Sequence, residues 1–344
     1  MSTKTVPLRQ LGKNGLKVPA VGLGLMGMSM LYGVPPSDEE RFKVLDRALE
    51  LGATNWDTSD MYGDSEVLLG KWFKRTGKRN QIFLATKFGF VKGAPNFETF
   101  DTSYEYTKKA CAECLRIMGI DYIDIFYMHR ANPKTPIEET MRALAELKAE
   151  GKIKGIGLSE VSSTTLRRAC KVAQVDAVQS EYSPFELAIE GPEGTNLLAT
   201  ARELGVAIVA YSPLGRGMLT GAFNKSESFA NEGDWRAAFP RFSGENFAAN
   251  VKLVNQFKSL ADKKGCTPAQ LAIAWLLKQG DDIIPIPGTK KIKYLEENWG
   301  ALNVHLTDAE SAEIRRFVET AKVAGARGPD GTEKTFFADT VEEK

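Results

Sequence analysis

Eight short apolar runs, each separated from the next by a stretch with helical periodicity, constrain this chain more than any other feature. The runs are Ala20 to Leu23, Ala53 to Trp56, Ile82 to Thr86, Tyr122 to Met128, Ile153 to Leu158, Ala177 to Val178, Val206 to Ala210 and Ile283 to Ile286. They are continuously apolar rather than alternating, as strands are when helices cover both sides of a parallel sheet. The intervening helices carry their own punctuation. Ser37-x-x-Glu40 is a capping box, after which Phe42, Leu45, Ala48 and Leu49 form an apolar stripe that stops at Gly52. Thr135-Pro136 opens a helix that runs to Glu150, and Thr267-x-x-Gln270 and Thr307-x-x-Glu310 open two more. This alternation predicts an α/β chain folded as a (β/α)8 TIM barrel. No proline- or glycine-rich linker divides residues 1–344, so one domain is expected.

Four segments stand outside the repeat. Residues 5–20 hold two β-like runs around Asn14-Gly15, which predicts an N-terminal hairpin. Gly22-x-Gly24-x-x-Gly27 matches a dinucleotide-binding turn, but the residues after it lack helical period and reach Pro35-Pro36, so no Rossmann helix is expected there. After Ala210 the chain runs to about Glu245 before a helix resumes, far longer than an ordinary βα loop, which predicts a lid or binding loop after the seventh strand. Residues 322–344, with Gly325, Gly328, Pro329 and Gly331, form a tail that is either a mobile end or a second flap over the barrel mouth.

Composition narrows the partners. With 45 basic and 44 acidic residues the net charge is +1, which offers no electrostatic footprint for nucleic acid or an anionic membrane. No apolar run reaches the ~18 residues of a membrane helix, and the first residues lack a signal-peptide core. A cytoplasmic chain acting on small molecules, as a monomer or weak homo-oligomer, is expected. Four cysteines are too few for a disulfide framework, and Cys111-x-x-Cys114 falls inside a helical pattern. Two separated histidines cannot build the ligand cluster of a metal-dependent barrel hydrolase, so no metal is expected.

In a (β/α)8 barrel the active site lies at the carboxyl ends of the strands, so the first polar residue after each run is informative. Those residues are Asp57, Lys87, His129, Ser159 with Glu160, Gln179 and Tyr211. Taken singly, each also fits ordinary packing. A strand-end lysine pairs with a carboxylate, a lone histidine is bonded in the core, and a tyrosine packs with its hydroxyl satisfied. Together with Tyr62, five residues beyond Asp57, they bring an acid, an ammonium, an imidazole and a phenol to one mouth. Hydride delivery to a carbonyl needs a proton donor for the developing oxyanion, and a phenol titrates near ~10 when unperturbed. Lys87 is expected to lower that value, Asp57 to anchor Lys87, and His129 to orient the carbonyl oxygen.

The segments Asn55-Trp56-Asp57-Thr58-Ser59-Asp60-Met61-Tyr62-Gly63, Ala85-Thr86-Lys87-Phe88-Gly89, Tyr127-Met128-His129-Arg130 and Gly157-Leu158-Ser159 form an ordered series. It continues through Gln179-Ser180-Glu181-Tyr182-Ser183, Tyr211-Ser212-Pro213-Leu214-Gly215-Arg216-Gly217 and Ile286-Pro287-Gly288-Thr289-Lys290. Across nearly the whole chain it resembles the signature series of the aldo-keto reductases, in wording closest to the plant and fungal type. The resemblance implies NADP(H)-dependent carbonyl reduction, with Tyr62 as general acid/base and Asp57, Lys87 and His129 completing a tetrad. It also distributes the cofactor contacts. Gly24, Leu25, Met26 and Asp57 fall in the set, Ser159 and Gln179 match residues that hold the nicotinamide carboxamide, and Tyr211 matches the ring stacked on the nicotinamide. Ser212, Pro213, Leu214, Arg216 and Gly217 match the loop over the pyrophosphate, and Gly288, Thr289, Lys290, Tyr294, Glu297 and Asn298 the adenosine end. Two positions depart from the usual pattern: Glu160 stands where an asparagine is common, and Tyr294 where an arginine often grips the 2′-phosphate. NAD stays open as the other cofactor.

Trp56, Phe88, Phe90 and Trp235 are expected to wall the substrate pocket, joined by Phe223, Phe239, Phe336 and Phe337, which suits aromatic or apolar aldehydes and ketones. A second function open to such a barrel is that of a channel β-subunit, which holds the cofactor and regulates a partner. Turnover of simple aldehydes separates the two.

Overall fold

The computed structural model describes residues 6–94, 99–229 and 231–344. Two strands, β1 (Leu8–Gln10) and β2 (Lys17–Pro19), pair antiparallel with Leu8 opposite Pro19. This is the expected hairpin; Thr5, its first expected residue, lies outside the described residues. Eight parallel strands follow: β3 (Leu23–Gly24), β4 (Asn55–Asp57), β5 (Phe83–Phe88), β6 (Ile123–Met128), β7 (Ile153–Ser159), β8 (Ala177–Glu181), β9 (Ala207–Tyr211) and β10 (Ile283–Pro285). They lie in sequence order, and β3 and β10 close the ring through Gly22 N–H to Pro285 O at 2.9 Å and Gly24 N–H to Pro287 O at 3.1 Å. Closure needs glycine: a Cβ on Gly24 would stand 2.9 Å from Ile286 O, and one on Gly288 2.8 Å from Gly24 O.

Eleven helices are described: α1 (Met26–Ser29), α2 (Asp38–Leu51), α3 (Ser65–Thr76), α4 (Tyr104–Met118), α5 (Ile137–Ala149), α6 (Ser163–Val172), α7 (Leu197–Leu204), α8 (Gly244–Lys264), α9 (Pro268–Lys278), α10 (Ile292–Gly300) and α11 (Asp308–Thr320). Capping boxes at Ser37/Glu40, Thr267/Gln270 and Thr307/Glu310 start α2, α9 and α11, each satisfying backbone N–H groups that a helix start otherwise leaves open. Met26–Ser29 corrects one expectation, because a helix does open after Gly24. It lasts a single turn and stops at Met30, so the glycine motif still leads into no Rossmann helix.

Side chains on a strand alternate between faces. The inward set fills the barrel with Ala85, Ile125, Tyr127, Ala177, Ala207, Val209, Ile284 and Ile286, and Leu11 and Val18 of the hairpin segment plug its lower end. The Tyr127 ring lies where a Cβ on Gly157 would come within 2.2 Å, so glycine on β7 makes room for the tyrosine on β6. The outward set packs under the helices, as where Trp56 meets Trp72 of α3 with ring centroids 4.8 Å apart. Each such fully buried side chain contributes roughly 1.5–3 kcal/mol. Among the described residues no helix is long and apolar enough to cross a membrane.

Candidate active site

The same alternation decides which side chains reach the mouth. Asp57, Lys87 and His129 end the inward rows of β4, β5 and β6. Their neighbours Trp56 and Phe88 must then face outward. Both are fully buried in the layer between strands and helices, Phe88 stacked on Phe126 at 4.7 Å and Trp56 donating to Ala53 O at 2.7 Å. They are core residues and do not line a pocket, which corrects the expectation for these two positions.

Lys87 is completely buried and organises the centre. Its Nζ donates to Asp57 Oδ1 at 2.5 Å and to Thr58 O at 2.7 Å, and reaches the Tyr62 hydroxyl at 3.5 Å. The second oxygen of Asp57 accepts from Gln179 Nε2 at 2.8 Å, so both oxygens of that carboxylate are bonded. Burial by itself lowers the Lys87 pKa, but Asp57 and Tyr62 outweigh it and the ammonium is held above its ordinary value. Burial also governs Tyr62 and pushes the phenol upward, with Lys87 pulling the other way. The expectation of a phenol brought below its ordinary value is therefore corrected: the lysine acts in the expected direction, and burial is larger. His129 is held well below its ordinary value by burial, then by Lys87 and Arg130, so the imidazole is neutral. Its Nδ1 lies 3.0 Å from Ser59 Oγ, and its ring meets those of Tyr62 and Phe90 edge-on at 5.6 and 4.9 Å.

The loop bearing Tyr62 is fastened from behind. Buried Arg41 on α2 donates to both oxygens of Asp64 at 2.8 Å and to Ser29 Oγ at 3.1 Å, tying the start of α3 to α1. Asp60 in the same loop has its carboxyl raised to about 7, chiefly by burial and then by Glu66. The folded pKa lies above the unfolded value near ~3.9, so the folded chain holds a proton that the unfolded chain has released. Stability is then full below pH 4 and falls as pH rises towards 7. Asp60→Asn should stabilise the protein by roughly 4 kcal/mol at pH 8 and by little at pH 4. Urea unfolding of both proteins at the two pH values checks this; an offset independent of pH would refute it.

Ser159 and Gln179 are paired residues of β7 and β8. Ser159 Oγ accepts from Arg130 Nη1 at 3.3 Å. Glu160 does not join them. It adopts a left-handed φ of 53°, its Oε2 accepts from Arg327 Nη2 at 2.7 Å, and its Oε1 accepts from Ser180 Oγ and Glu181 N–H at 3.1 and 3.2 Å. The carboxylate expected among the cofactor contacts is thus spent on the tail. Residues 322–344 are accordingly neither free nor loosely laid. Ala338 N–H donates to Glu160 O at 2.8 Å, Arg168 Nη1 donates to Thr340 O at 2.8 Å, and the Phe336 ring lies 3.8 Å from the Arg327 guanidinium.

The remaining expected positions follow the rim. Tyr211 ends β9 with its hydroxyl buried and without a hydrogen-bond partner among the described residues. Ser212 and Arg216 adopt left-handed φ values of 48° and 56°, strain gathered in one turn as functional loops often hold it. Arg216 lies over the Phe239 ring at 4.5 Å, with Pro213 buried and Leu214 and Gly217 half-buried beside it. Leu25 is a core side chain, so only its backbone borders the mouth, while Met26 is half-buried at the start of α1. The long loop after β9 crosses to the segment after β3, with Trp235 N–H donating to Leu31 O and Gly33 N–H to Gly233 O, both at 3.0 Å. Trp235 itself is exposed on this loop. Lys290 Nζ is held on Tyr32 O at 2.7 Å.

These residues suit a dinucleotide. Tyr211, with its unpartnered hydroxyl and flat ring, ends β9 next to β8, and Ser159 and Gln179, paired on β7 and β8, offer polar groups to a carboxamide. Helix α10 begins without a side-chain cap or an acid in its first turn, and Lys290, Lys291 and Lys293 flank that start in sequence, with the Lys290 ammonium turned to Tyr32 O and Val34 O, so backbone N–H groups and nearby lysines together suit phosphate. Thr289 Oγ1 accepts from Lys291 N–H at 3.1 Å; Tyr294 is exposed, Glu297 half-buried and Asn298 buried on the same helix. Three residues outside the expected set belong to the site. Ser59 lay within the recognised stretch, Arg130 followed the recognised histidine, and Arg327, 167 positions from Glu160, left no local signal.

A model of the aldo/keto reductase family matches residues 20–319. The aldo-keto reductase str7 of Strobilurus tenacellus is 51% identical over 94% of this chain and 95% of its own. The aldo-keto reductase yakc [NADP(+)] of Schizosaccharomyces pombe is 49% identical over 98% of both chains. Among solved structures, the glycerol dehydrogenase AKR11B4 from Gluconobacter oxydans superposes with a TM-score of 0.80 at 27% identity, covering 95% of this chain and 98% of its own. The holo form of the aldo-keto reductase AKR11C1 from Bacillus halodurans gives 0.75 at 26%, covering 94% and 98%. With a closed eight-stranded barrel, Asp57, Lys87, Tyr62 and His129 gathered at its mouth and relatives matched from end to end, this chain belongs to the aldo/keto reductase family.

Proposed function

We propose that this chain is an NADP(H)-dependent oxidoreductase that reduces aldehydes and ketones to alcohols, with Tyr62 as general acid. The observation that carries this reading is the buried Lys87 ammonium, joined to the Asp57 carboxylate on one side and facing the Tyr62 hydroxyl on the other. When bound, NADPH supplies the hydride that reaches the carbonyl carbon. Tyr62 stays protonated at neutral pH because burial holds its pKa up, so the proton is present when charge grows on the carbonyl oxygen. Donation leaves a phenolate next to Lys87, whose charge Asp57 and Gln179 keep in place. In the tautomer whose Nδ1 accepts from the Ser59 hydroxyl 3.0 Å away, the neutral His129 ring carries its proton on Nε2, which is then the donor to the carbonyl oxygen.

The lysines at the start of α10 and the yeast relative named for NADP(+) support the phosphorylated cofactor. A barrel unit spanning the chain, working in the cytoplasm as a monomer or weak homo-oligomer, completes the reading; four free thiols suit a reducing compartment. Steady-state oxidation of NADPH with a panel of aldehydes and ketones tests it, and cofactor binding without turnover would overturn it. Lys290→Ala should weaken NADPH binding about tenfold or more, the worth of one charge-assisted bond, with much less effect on NADH. Equal weakening of the two cofactors, read by fluorescence quenching, would withdraw Lys290 from the phosphate.

A further inference from the structure

Nearly every arginine of this chain that is not on the open surface lies within 4.0 Å of a carboxylate, Arg41 with Asp64 and Arg327 with Glu160 among them. Arg130 is the exception among the described residues. It is half-buried at the end of β6, and its guanidinium donates only to His129 O at 2.7 Å and Ser159 Oγ at 3.3 Å. Both are neutral acceptors. The other charges at the mouth are already matched, Lys87 by Asp57 and Arg327 by Glu160, and His129 is neutral. Glu160 feels the Arg130 charge but is itself hydrogen-bonded to Arg327, so the half-buried Arg130 guanidinium keeps no carboxylate of its own within 4.0 Å, and the reduced nicotinamide ring, being uncharged, supplies none.

Aromatic rings and the catalytic histidine stand around it. The Phe336 ring lies 5.9 Å from the guanidinium, and Phe90 stands against both His129 and Phe100 at 4.9 and 5.0 Å. Resting on the reductase reading above, we propose that Arg130 is the anion-recognition residue of the substrate pocket, so that the preferred carbonyl compounds are short or aromatic aldehydes bearing a carboxylate. The planar fork of arginine matches a carboxylate bidentately, and the rings hold the body of the molecule while its carbonyl meets Tyr62 and His129.

Two matched pairs of aldehydes test this: 4-oxobutanoate against butanal, and 4-carboxybenzaldehyde against 4-methylbenzaldehyde. The wild-type enzyme should favour the carboxylated member of at least one pair in kcat/KM by about tenfold or more, the range of one bond to a charged group. Arg130→Met should bring that ratio towards one, and Arg130→Lys should keep an intermediate value. The inference is overturned if the wild-type enzyme prefers the neutral member of both pairs, a result that needs no variant to fold. It is also overturned if Arg130→Met leaves the ratio unchanged, or slows both members alike while raising the NADPH dissociation constant tenfold, which would assign the guanidinium to the cofactor beside Ser159. Turnover of none of the four compounds would overturn the reductase reading and this inference together. Turnover of the neutral members without preference would overturn the inference alone.

Discussion

Tyr62→Phe should lower kcat for aldehyde reduction by roughly 10²–10⁴-fold, the usual contribution of a positioned general acid. The change removes one hydroxyl that, among the described residues, is bonded to Lys87 alone at 3.5 Å, while the ring keeps its edge contact with His129 at 5.6 Å. The loop should therefore hold its shape, fastened as it is through Asp64 to Arg41. NADPH binding, followed by quenching of tryptophan fluorescence, should change by less than about threefold, since such a loss falls within the ~0.5 kcal/mol expected away from direct contacts. Turnover that survives intact would remove Tyr62 from the chemistry. Loss of binding and turnover together would mean that the hydroxyl holds the cofactor rather than supplying a proton.

The second large effect concerns stability and arises in the tail. Arg327 is 9% exposed at its side chain, while Glu160 is not exposed at all, and the pair is closed by bonds of 2.7 and 3.3 Å. Removing one partner of a buried ion pair leaves the other charge uncompensated, so Arg327→Met should cost about 3–5 kcal/mol. The variant would leave Glu160 above its unfolded pKa, bound to a proton that the unfolded chain releases. Its deficit should then grow as pH rises from 5 to 8. Glu160→Gln combined with Arg327→Met removes both charges and should recover most of the loss, because an amide keeps an acceptor for Ser180 and the Glu181 N–H. Chemical unfolding of the single and double variants at two pH values reads each statement. A double variant no better than the single one would show that Arg327 acts through Glu181, 3.9 Å away, or through its stacking on Phe336 and Phe337 rather than through Glu160.

Much of this protein was legible in the order of its residues. Eight apolar runs became eight strands with ends shifted by three residues or fewer, because period and length are local properties that each strand carries itself. Capping boxes at Ser37, Thr267 and Thr307 began helices for the same reason. The rule that barrel sites gather at strand ends brought Asp57, Lys87 and His129 to one mouth, since the rule concerns topology and needs no contact map. Trp56 and Phe88 show where that kind of reading stops. Adjacent strand residues face opposite sides, so once Asp57 and Lys87 point inward, their aromatic neighbours must turn to the helices.

What the sequence by itself determined was the alternation of elements, the barrel they close into and the residue types waiting at its mouth. Only the tertiary structure decided how those charges are matched. It set Asp57 between Lys87 and Gln179, took Glu160 away to Arg327 across 167 positions of chain, and left Arg130 with neutral acceptors alone. It also settled that burial, and not Lys87, governs the Tyr62 phenol. The division has one physical cause. Periodicity and caps act between residues a few positions apart, whereas desolvation and ion pairing depend on which distant side chains share the same few ångströms, and that is fixed only when the chain has folded.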